Sequence, residues 1–522
     1  MTVVSDAPAR EPVAETETRP HPLVVFALAA VVAIGVGFFS YTRSDLWLDE
    51  ALSVNIARLP FSELRAALER DGAPPLYYAL LHVWTSILGT SDVAVRSLST
   101  VIGLGLVTAV WFAARRFGSR SLAWSAVVLT FASPYAIRYA TEARMYGLEM
   151  LFVALGIIAV DRAFERPSYG RLLPITILSA LLVYTQYWGF YILGVLGLVL
   201  LFIAWRKAAQ RATALRIAAA VVVGVLTFLP WIPTFMSQRA HTGTPWGDPV
   251  LPGLPIGETF LGFAGGEEQE GWLLLLILVP LMLLGAFGRR VDDRHVDIDV
   301  RVQRPVRGIA FMLAVTLVAG TTLSYLAGQA FEPRYSAIVF PFFVILAARG
   351  VMTLGDRWIR VGVLVVVVSL GFAGGVRNVT EQRTQAGQVA AVLKAEAQPG
   401  DVVVYCPDQL APAVHRLLGD DRGLDEVTYP AFGPPAFVDW TDYQERLDAT
   451  DHDAFAQDAL ARAEGKTLWY VTGPGYPNHH GVCEAMADSF GAAGRERIPR
   501  VLANEDYFEK PGLVQFPAPT SS

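Results

Sequence analysis

Carboxylates gather near the start of the chain, where Asp45, Asp49 and Glu50 flank Trp47 in Asp45-Leu46-Trp47-Leu48-Asp49-Glu50-Ala51. The stretch follows the first hydrophobic run and precedes Asp71-Gly72-Ala73-Pro74-Pro75-Leu76-Tyr77-Tyr78. Acids placed where a membrane helix should meet water are costly unless they do chemistry or hold a cation. Acids also favour helix N-termini, so the stretch alone does not separate a catalytic group from a solvated helix start. The rest of the chain shifts the balance, and Asp49 is expected at the centre of an active site.

A second group of reactive types is Arg138-Tyr139-Ala140-Thr141-Glu142-Ala143-Arg144-Met145-Tyr146-Gly147-Leu148-Glu149. If it enters the next helix without a break, Arg138, Glu142, Tyr146 and Glu149 share one face. Interfacial belts of aromatics and arginines have a similar composition, but two acids at an otherwise apolar helix entry favour function. A third is Phe331-Glu332-Pro333-Arg334-Tyr335, between two apolar runs. Arg334 suits a phosphate, because its planar fork matches phosphate oxygens and its charge is permanent; a snorkelling interface arginine is the competing reading. Gln186-Tyr187-Trp188 reads as belt aromatics. Arg96, Arg239, His241 and His82 are weaker, lone histidines being more often structural. Pro245-Trp246-Gly247-Asp248-Pro249 lies in a long loop suited to act as a lid. His479-His480 lacks nearby ligands, so no metal is expected there.

Membrane helices must position these groups. The chain has 522 residues, 53% hydrophobic and only 17% charged, with a mean hydropathy of +0.40, which reads as a polytopic α-helical membrane protein. Apolar segments fall near 23–41, 95–114, 121–137, 145–161, 172–187, 189–205, 215–233, 272–288, 308–328, 336–348 and 359–376, about eleven spans. The 23–41 run sits too far from the start for a signal peptide and lacks an A-x-A-like site. Residues 1–22, rich in Ala, Pro, Glu and Thr, are expected to be a disordered tail.

Arginine clusters at 115–120, 162–171, 206–216, 289–307 and 349–360 occupy alternate loops. The positive-inside rule puts these loops and the N-terminus in the cytoplasm. The loops carrying Asp49, Glu142, Tyr187 and Arg334, and everything after Val376, then face outside. Pro74-Pro75 is expected to start a helix lying along the membrane surface, with Leu76, Tyr77, Leu80, Leu81 and Trp84 on its apolar face.

Splitting the chain after Val376 separates a part of net charge +4 from one of −10. The domain from 377 to 522 therefore reads as soluble, and apolar strands at Val402–Tyr405 and Thr467–Val471 between helical patterns point to a small α/β layer. No Gly-x-Gly-x-x-Gly or Walker pattern accompanies it, and the acidic balance argues against nucleic acid as a partner. Cys406 and Cys483 both lie in this part; a single pair confined to one domain points to a disulfide in an oxidising compartment, with two buried thiols as the competing reading.

Taken together, the acid pair Asp49-Glu50 after the first span, Pro74-Pro75-Leu76-Tyr77-Tyr78, Glu142-Ala143-Arg144-Met145-Tyr146 and Arg334-Tyr335 resemble the GT-C superfamily of lipid-dependent membrane glycosyltransferases. That group includes the protein O-mannosyltransferases and the aminoarabinose transferases of lipid A. The likeness covers about residues 20–376, and Tyr405-Cys406-Pro407-Asp408-Gln409-Leu410 looks like the extracytoplasmic domain of actinobacterial mannosyltransferase-like members. Asp71-Gly72-Ala73 departs from it, since many relatives have histidine before Pro-Pro.

The resemblance implies a bacterial-type cell-membrane enzyme that moves a sugar, mannose or another hexose or pentose, from a polyprenyl-phosphate donor. The acceptor would be a hydroxyl of an extracytoplasmic glycan, lipid or protein, and the transfer would invert. It implies Asp49 as general base and Arg138, Arg144 and Arg334 as ligands of the donor phosphate. Glu50 and Glu142 would orient these groups or hold a divalent cation, and Trp47, Tyr77, Tyr146, Tyr187 and Tyr335 would line the substrate pocket. A transporter or flippase of lipid-linked sugars is the competing class. Transporters place ionisable groups near the midplane of matched repeats, whereas these charges gather at the outer rim.

Overall fold

The structure, a computed structural model, describes residues 22–476, 479 and 481–518, apart from the Asp420 side chain. The expected N-terminal tail and His480 lie outside the described residues. Among the described residues, eight helical segments are long and apolar enough to cross a membrane: Pro22–Ser40, Asp92–Ala114, Gly189–Arg206, Ala208–His241, Gln269–Phe287, Arg304–Leu326, Pro333–Thr353 and Arg357–Thr380. The other expected spans are also helical, as Arg120–Phe131, Tyr146–Glu165 and Tyr169–Thr185. The last membrane helix runs to Thr380, four residues beyond the boundary expected from composition.

Local chemistry sets the helix starts. Ser91, Ser119 and Ser133 each accept a first-turn backbone N–H, and Asp356 accepts two. Helices Gln269–Phe287 and Phe340–Thr353 pack through glycines. A Cβ on Gly285 would fall 1.8 Å from the Leu346 carbonyl oxygen, and one on Gly350 1.9 Å from that of Leu281, the close approach small residues allow between membrane helices.

The bundle has two unlike ends. At one, Arg116 pairs with Asp161 and Glu165, and Arg171 reaches Glu165 at 3.0 Å. A short hairpin, Gly288–Arg290 with Val296–Ile298, covers the same end, with Arg349 donating to the Gly285 carbonyl. At the other end lie helices Leu48–Ala57, Phe61–Asp71 and Leu76–Leu88.

The C-terminal sheet domain sits on that second end. Its five-stranded sheet runs Asp425–Thr428, Val402–Cys406, Leu468–Thr472, Gly512–Phe516, Ile498–Val501. The first three strands are parallel and the last two antiparallel to their neighbours. Side chains alternate across a sheet. Val403, Tyr405, Trp469 and Val471 therefore join the apolar core shared with the membrane part, while Val402, Val404, Leu468 and Tyr470 form a separate core with Phe490 and Phe516. Helix Ala411–Leu418 packs against Ala386–Glu396 and Leu48–Ala57. Cys406 and Cys483 are joined in a disulfide.

Candidate functional site

Between the two parts lies a cavity of about 690 Å³, lined by Asp49, Asp71, Arg144, Tyr146, Tyr187, Arg239, Trp246, Arg334, Tyr335 and Trp440 among others. Asp49 enters it from the first turn of Leu48–Ala57. Arg144 comes from the turn preceding Tyr146–Glu165, and Arg334 from the tightened 3₁₀ turn Pro333–Val339.

One carboxylate oxygen serves both arginines: Asp49 Oδ2 lies 3.8 Å from Arg144 Nε and 3.6 Å from Arg334 Nη1. Arg334 also sits among aromatic faces, its guanidinium carbon 5.9 Å from the ring centroids of Trp47, Trp246 and Tyr335. Among the described residues, Nε of both arginines is buried without a hydrogen-bond acceptor. A buried unpaired donor costs about 1–3 kcal/mol, so these N–H groups favour an anion in the cavity.

The expected continuous helix through 138–149 is instead broken. Helix Pro134–Ala140 ends, and the chain turns through 141–145 before restarting at Tyr146. Side chains satisfy the backbone at the break: Thr141 Oγ1 donates to the Ile137 carbonyl at 3.0 Å, Ser99 Oγ to that of Glu142 at 2.6 Å, and the Ala143 N–H to Glu50 Oε1 at 2.9 Å. The break sends Arg144 and Tyr146 to the cavity and Arg138 and Glu142 elsewhere. Glu149 is buried, and among the described residues its carboxylate has no hydrogen-bond partner; it does not line the cavity.

Glu50, Glu142 and Arg138 are corrections to the expected site. Glu50 is fully buried and takes Arg96 Nε at 2.8 Å and Arg96 Nη2 at 2.5 Å. Arg138 Nε donates to Glu142 at 2.6 Å, and Arg383 lies 3.6 Å from Glu142 and 3.8 Å from Glu50. Burial pushes the Glu50 carboxyl up, but the Arg96 and Arg383 guanidiniums and the Ala143 N–H outweigh it and hold the group below the usual carboxylate range. Glu50 and Glu142 thus belong to a buried cluster already neutralised by arginines and do not fit a divalent cation. No cluster of three or more His, Cys, Asp or Glu with metal-ligand placement occurs among the described residues.

The expected aromatics divide as well. Tyr146, Tyr187 and Tyr335 line the cavity. Trp47 is buried beneath Arg334, its ring edge against Phe508. Tyr77 is fully buried, its hydroxyl 3.4 Å from Ser99 Oγ, because it faces the packed side of its helix.

Sequence reasoning singled out neither Asp71 nor Tyr78 as a site group. Asp71 ends the helix Phe61–Asp71, and Gly72, in the left-handed region at φ +82°, turns the chain away. Tyr78 donates its hydroxyl to Asp71 Oδ2 at 2.7 Å. The signal available in the sequence was an acid three residues before Pro74-Pro75. The C-terminal domain closes the cavity with Trp440, whose backbone N–H donates to the Arg70 carbonyl at 3.1 Å. His241 Nδ1 and Asp442 Oδ1, 2.8 Å apart, latch the same loop. In the long loop expected to form a lid, Trp246 does wall the cavity, and Thr244 Oγ1 accepts from the Ala330 N–H at 2.8 Å.

Such an arrangement of membrane helices, outer helices and capping sheet defines a class: the chain has the GT-C fold. It is similar to the crystal structure of ArnT from Cupriavidus metallidurans in the apo state, with a TM-score of 0.59 and 15% identity over 94% of this chain and 97% of that one. The same protein bound to undecaprenyl phosphate matches with a TM-score of 0.56 at 15% identity, covering 94% and 98%. No protein-family model and no curated protein sequence matches the chain.

Proposed function

We propose that the protein is a GT-C glycosyltransferase that moves a sugar from a polyprenyl-phosphate donor to a hydroxyl acceptor. The observation that carries this reading is the pair Arg144 and Arg334, converging on one Asp49 oxygen inside a cavity at the membrane end of the soluble domain. Two guanidiniums with unused buried donors suit a phosphate that gains charge as its sugar departs. The undecaprenyl phosphate bound by the similar ArnT structure is a ligand of this kind.

The acceptor hydroxyl attacks the anomeric carbon from the side opposite the phosphate, with inversion, and a cavity carboxylate takes its proton. General-base assistance of this type is worth about 10²- to 10⁴-fold. The cavity end faces the outside of a bacterial-type cell membrane and the arginine-rich end the cytoplasm, supported by the loop charges. The soluble domain takes part in acceptor recognition, supported by Trp440 in the cavity wall.

The test is transfer of labelled sugar from a panel of polyprenyl-phosphate mannose, other hexose and pentose donors, using membranes containing wild type or Arg334→Ala at matched expression. Donor-dependent transfer that collapses in the variant supports the reading. Equal transfer by both removes the arginine pair from the reaction.

A further inference from the structure

The helix bundle holds a second cavity, of about 240 Å³, that shares no lining residue with the one at Asp49. Helices Tyr146–Glu165, Tyr169–Thr185, Gly189–Arg206 and Arg307–Leu326 supply most of its walls. Among the described residues, Asp161 and Ser179 are the only polar side chains that line it. We propose that this cavity seats one acyl chain of an acidic phospholipid from the leaflet on the arginine-rich side, its phosphate held among Arg162, Arg304 and Arg307 at the mouth.

Depth favours a chain from one leaflet. Along Tyr146–Glu165 the lining runs from Phe152 to Phe164, about 18 Å of helix at about 1.5 Å per residue. A bilayer's hydrocarbon core is about 30 Å thick, so the cavity is little deeper than half of it. A polyprenyl tail anchored at Arg144 and Arg334 would have to enter from the opposite end. On Arg307–Leu326, Met312 lines this cavity and Leu323 the other. Gly320 lies between them and is packed under Trp188, where a Cβ would fall 2.5 Å from the ring. The packed ring separates the two spaces.

Two glycines keep the second space open. A Cβ on Gly156 or Gly308 would meet no neighbouring atom within 4 Å, so neither serves a close helix approach as Gly285 and Gly350 do. Glycine inside a helix weakens it, and Gly156 lies in the interior of Tyr146–Glu165. What its missing side chain leaves is a groove wide enough for a hydrocarbon chain.

The mouth, lined by Phe117, Asp161, Phe164 and Pro305, opens at the arginine-rich end. The acids there are neutralised, because Arg116 pairs with Asp161 and Glu165 and Arg171 with Glu165. Arg162, next to Asp161, and Arg304, next to Pro305, are exposed and form no ion pair among the described residues. Arg307 donates to the Val302 carbonyl at 3.1 Å and keeps its charge. An apolar chain gains little by leaving one hydrocarbon setting for another, so the groove supplies shape and the arginines supply the preference for negative charge. A phosphatidylcholine headgroup carries its own cation and meets no such preference.

The experiment titrates the full chain in detergent with dioleoyl phosphatidylglycerol or dioleoyl phosphatidylcholine and reads the tightest-held lipid by native mass spectrometry. Wild type is compared with Arg162→Gln/Arg304→Gln, Gly156→Leu and Gly308→Leu. Thermal midpoints check folding, and polyprenyl-phosphate binding is measured alongside. Wild type is expected to prefer phosphatidylglycerol. The double arginine variant is expected to lose about 10- to 30-fold in phosphatidylglycerol affinity and to bind phosphatidylcholine as before. Gly156→Leu and Gly308→Leu put a side chain into the groove and are expected to displace both lipids while keeping polyprenyl-phosphate binding.

Equal wild-type affinity for the two lipids leaves the groove to annular lipid only and overturns the proposal. A phosphatidylglycerol preference that survives the double arginine change does the same. Loss of polyprenyl-phosphate binding in folded Gly156→Leu, with phosphatidylglycerol retained, gives the cavity to the donor tail instead. If Gly156→Leu does not fold, wild-type phosphatidylglycerol affinity in Gly308→Leu overturns the proposal. None of these readouts uses sugar transfer, so failure of the glycosyl-transfer reading leaves the lipid site standing.

Discussion

Arg383, just past the last membrane helix, lies 3.6 Å from the carboxylate of Glu142 in the turn that carries Arg144. The same guanidinium donates to Thr141 Oγ1 at 2.9 Å and to the Thr141 carbonyl at 3.2 Å, and its backbone N–H donates to Ser44 Oγ at 2.8 Å. One arginine thus ties the C-terminal domain to both loops that supply cavity residues. Glu50 completes the tie by holding Arg96 and the Ala143 N–H together.

Breaking this cluster should cost stability before it costs chemistry. Glu50→Ala leaves Arg96 and Arg383 as buried cations short of a partner, a situation worth about 3–5 kcal/mol. A clear fall in thermal midpoint in detergent is expected; an unchanged midpoint would mean that the cluster is not a structural tie.

Replacing Arg334 or Arg144 by lysine keeps the charge and loses the planar fork. Hydrogen bonds to charged groups are worth about 1.5–3 kcal/mol, so polyprenyl-phosphate affinity should fall by about 10- to 100-fold. Direct binding of the lipid phosphate to each variant measures this, and lysine variants with wild-type affinity would contradict it.

Trp440→Ala should act on the acceptor. An aromatic contact of this kind is worth about 0.5–1.5 kcal/mol, or about 2- to 10-fold in acceptor KM, with polyprenyl-phosphate binding unchanged. A loss confined to donor binding would place Trp440 on the other side of the reaction.

Stability should depend on pH through Glu509. Burial pushes its carboxyl from the ordinary 4.5 to about 8, so the folded protein binds more protons than the unfolded chain between those values. This contribution therefore falls as pH rises from 4.5 to 8. Glu509→Gln, neutral throughout, should flatten that part of a curve of thermal midpoint against pH; an equally steep curve in the variant would assign the dependence to other groups.

The Cys406–Cys483 bond closes a loop with a sequence separation of 77. Chain-entropy reasoning puts the loss of such a loop at about 4.5 kcal/mol. Cys406→Ser with Cys483→Ser should therefore lower the unfolding midpoint of the C-terminal domain, read by thermal scans with and without reductant.

The sequence by itself determined the plan of the molecule. Apolar runs of spanning length recur as helices, because a bilayer leaves backbone groups few other ways to pair. The change of charge and periodicity after Val376 marked a second part, and short apolar strands at Val402–Tyr405 and Thr467–Val471 between helical patterns marked its sheet. Asp49, Arg144 and Arg334 were legible because each joins a chemically demanding side chain to the end of an apolar run.

Only the tertiary structure separated them from residues of the same types. Asp49 and Glu50 are neighbours, but successive helical side chains point about 100° apart, so one enters the cavity and the other meets Arg96 and Arg383. Arg138 and Arg144 diverge because the helix breaks between them, and that break is held by Ser99 and Glu50 from distant parts of the chain. Asp71 acquired its setting from Tyr78 and Arg144. A carboxylate's character depends on which charges and donors fold against it, and those partners come from segments that local patterns do not connect.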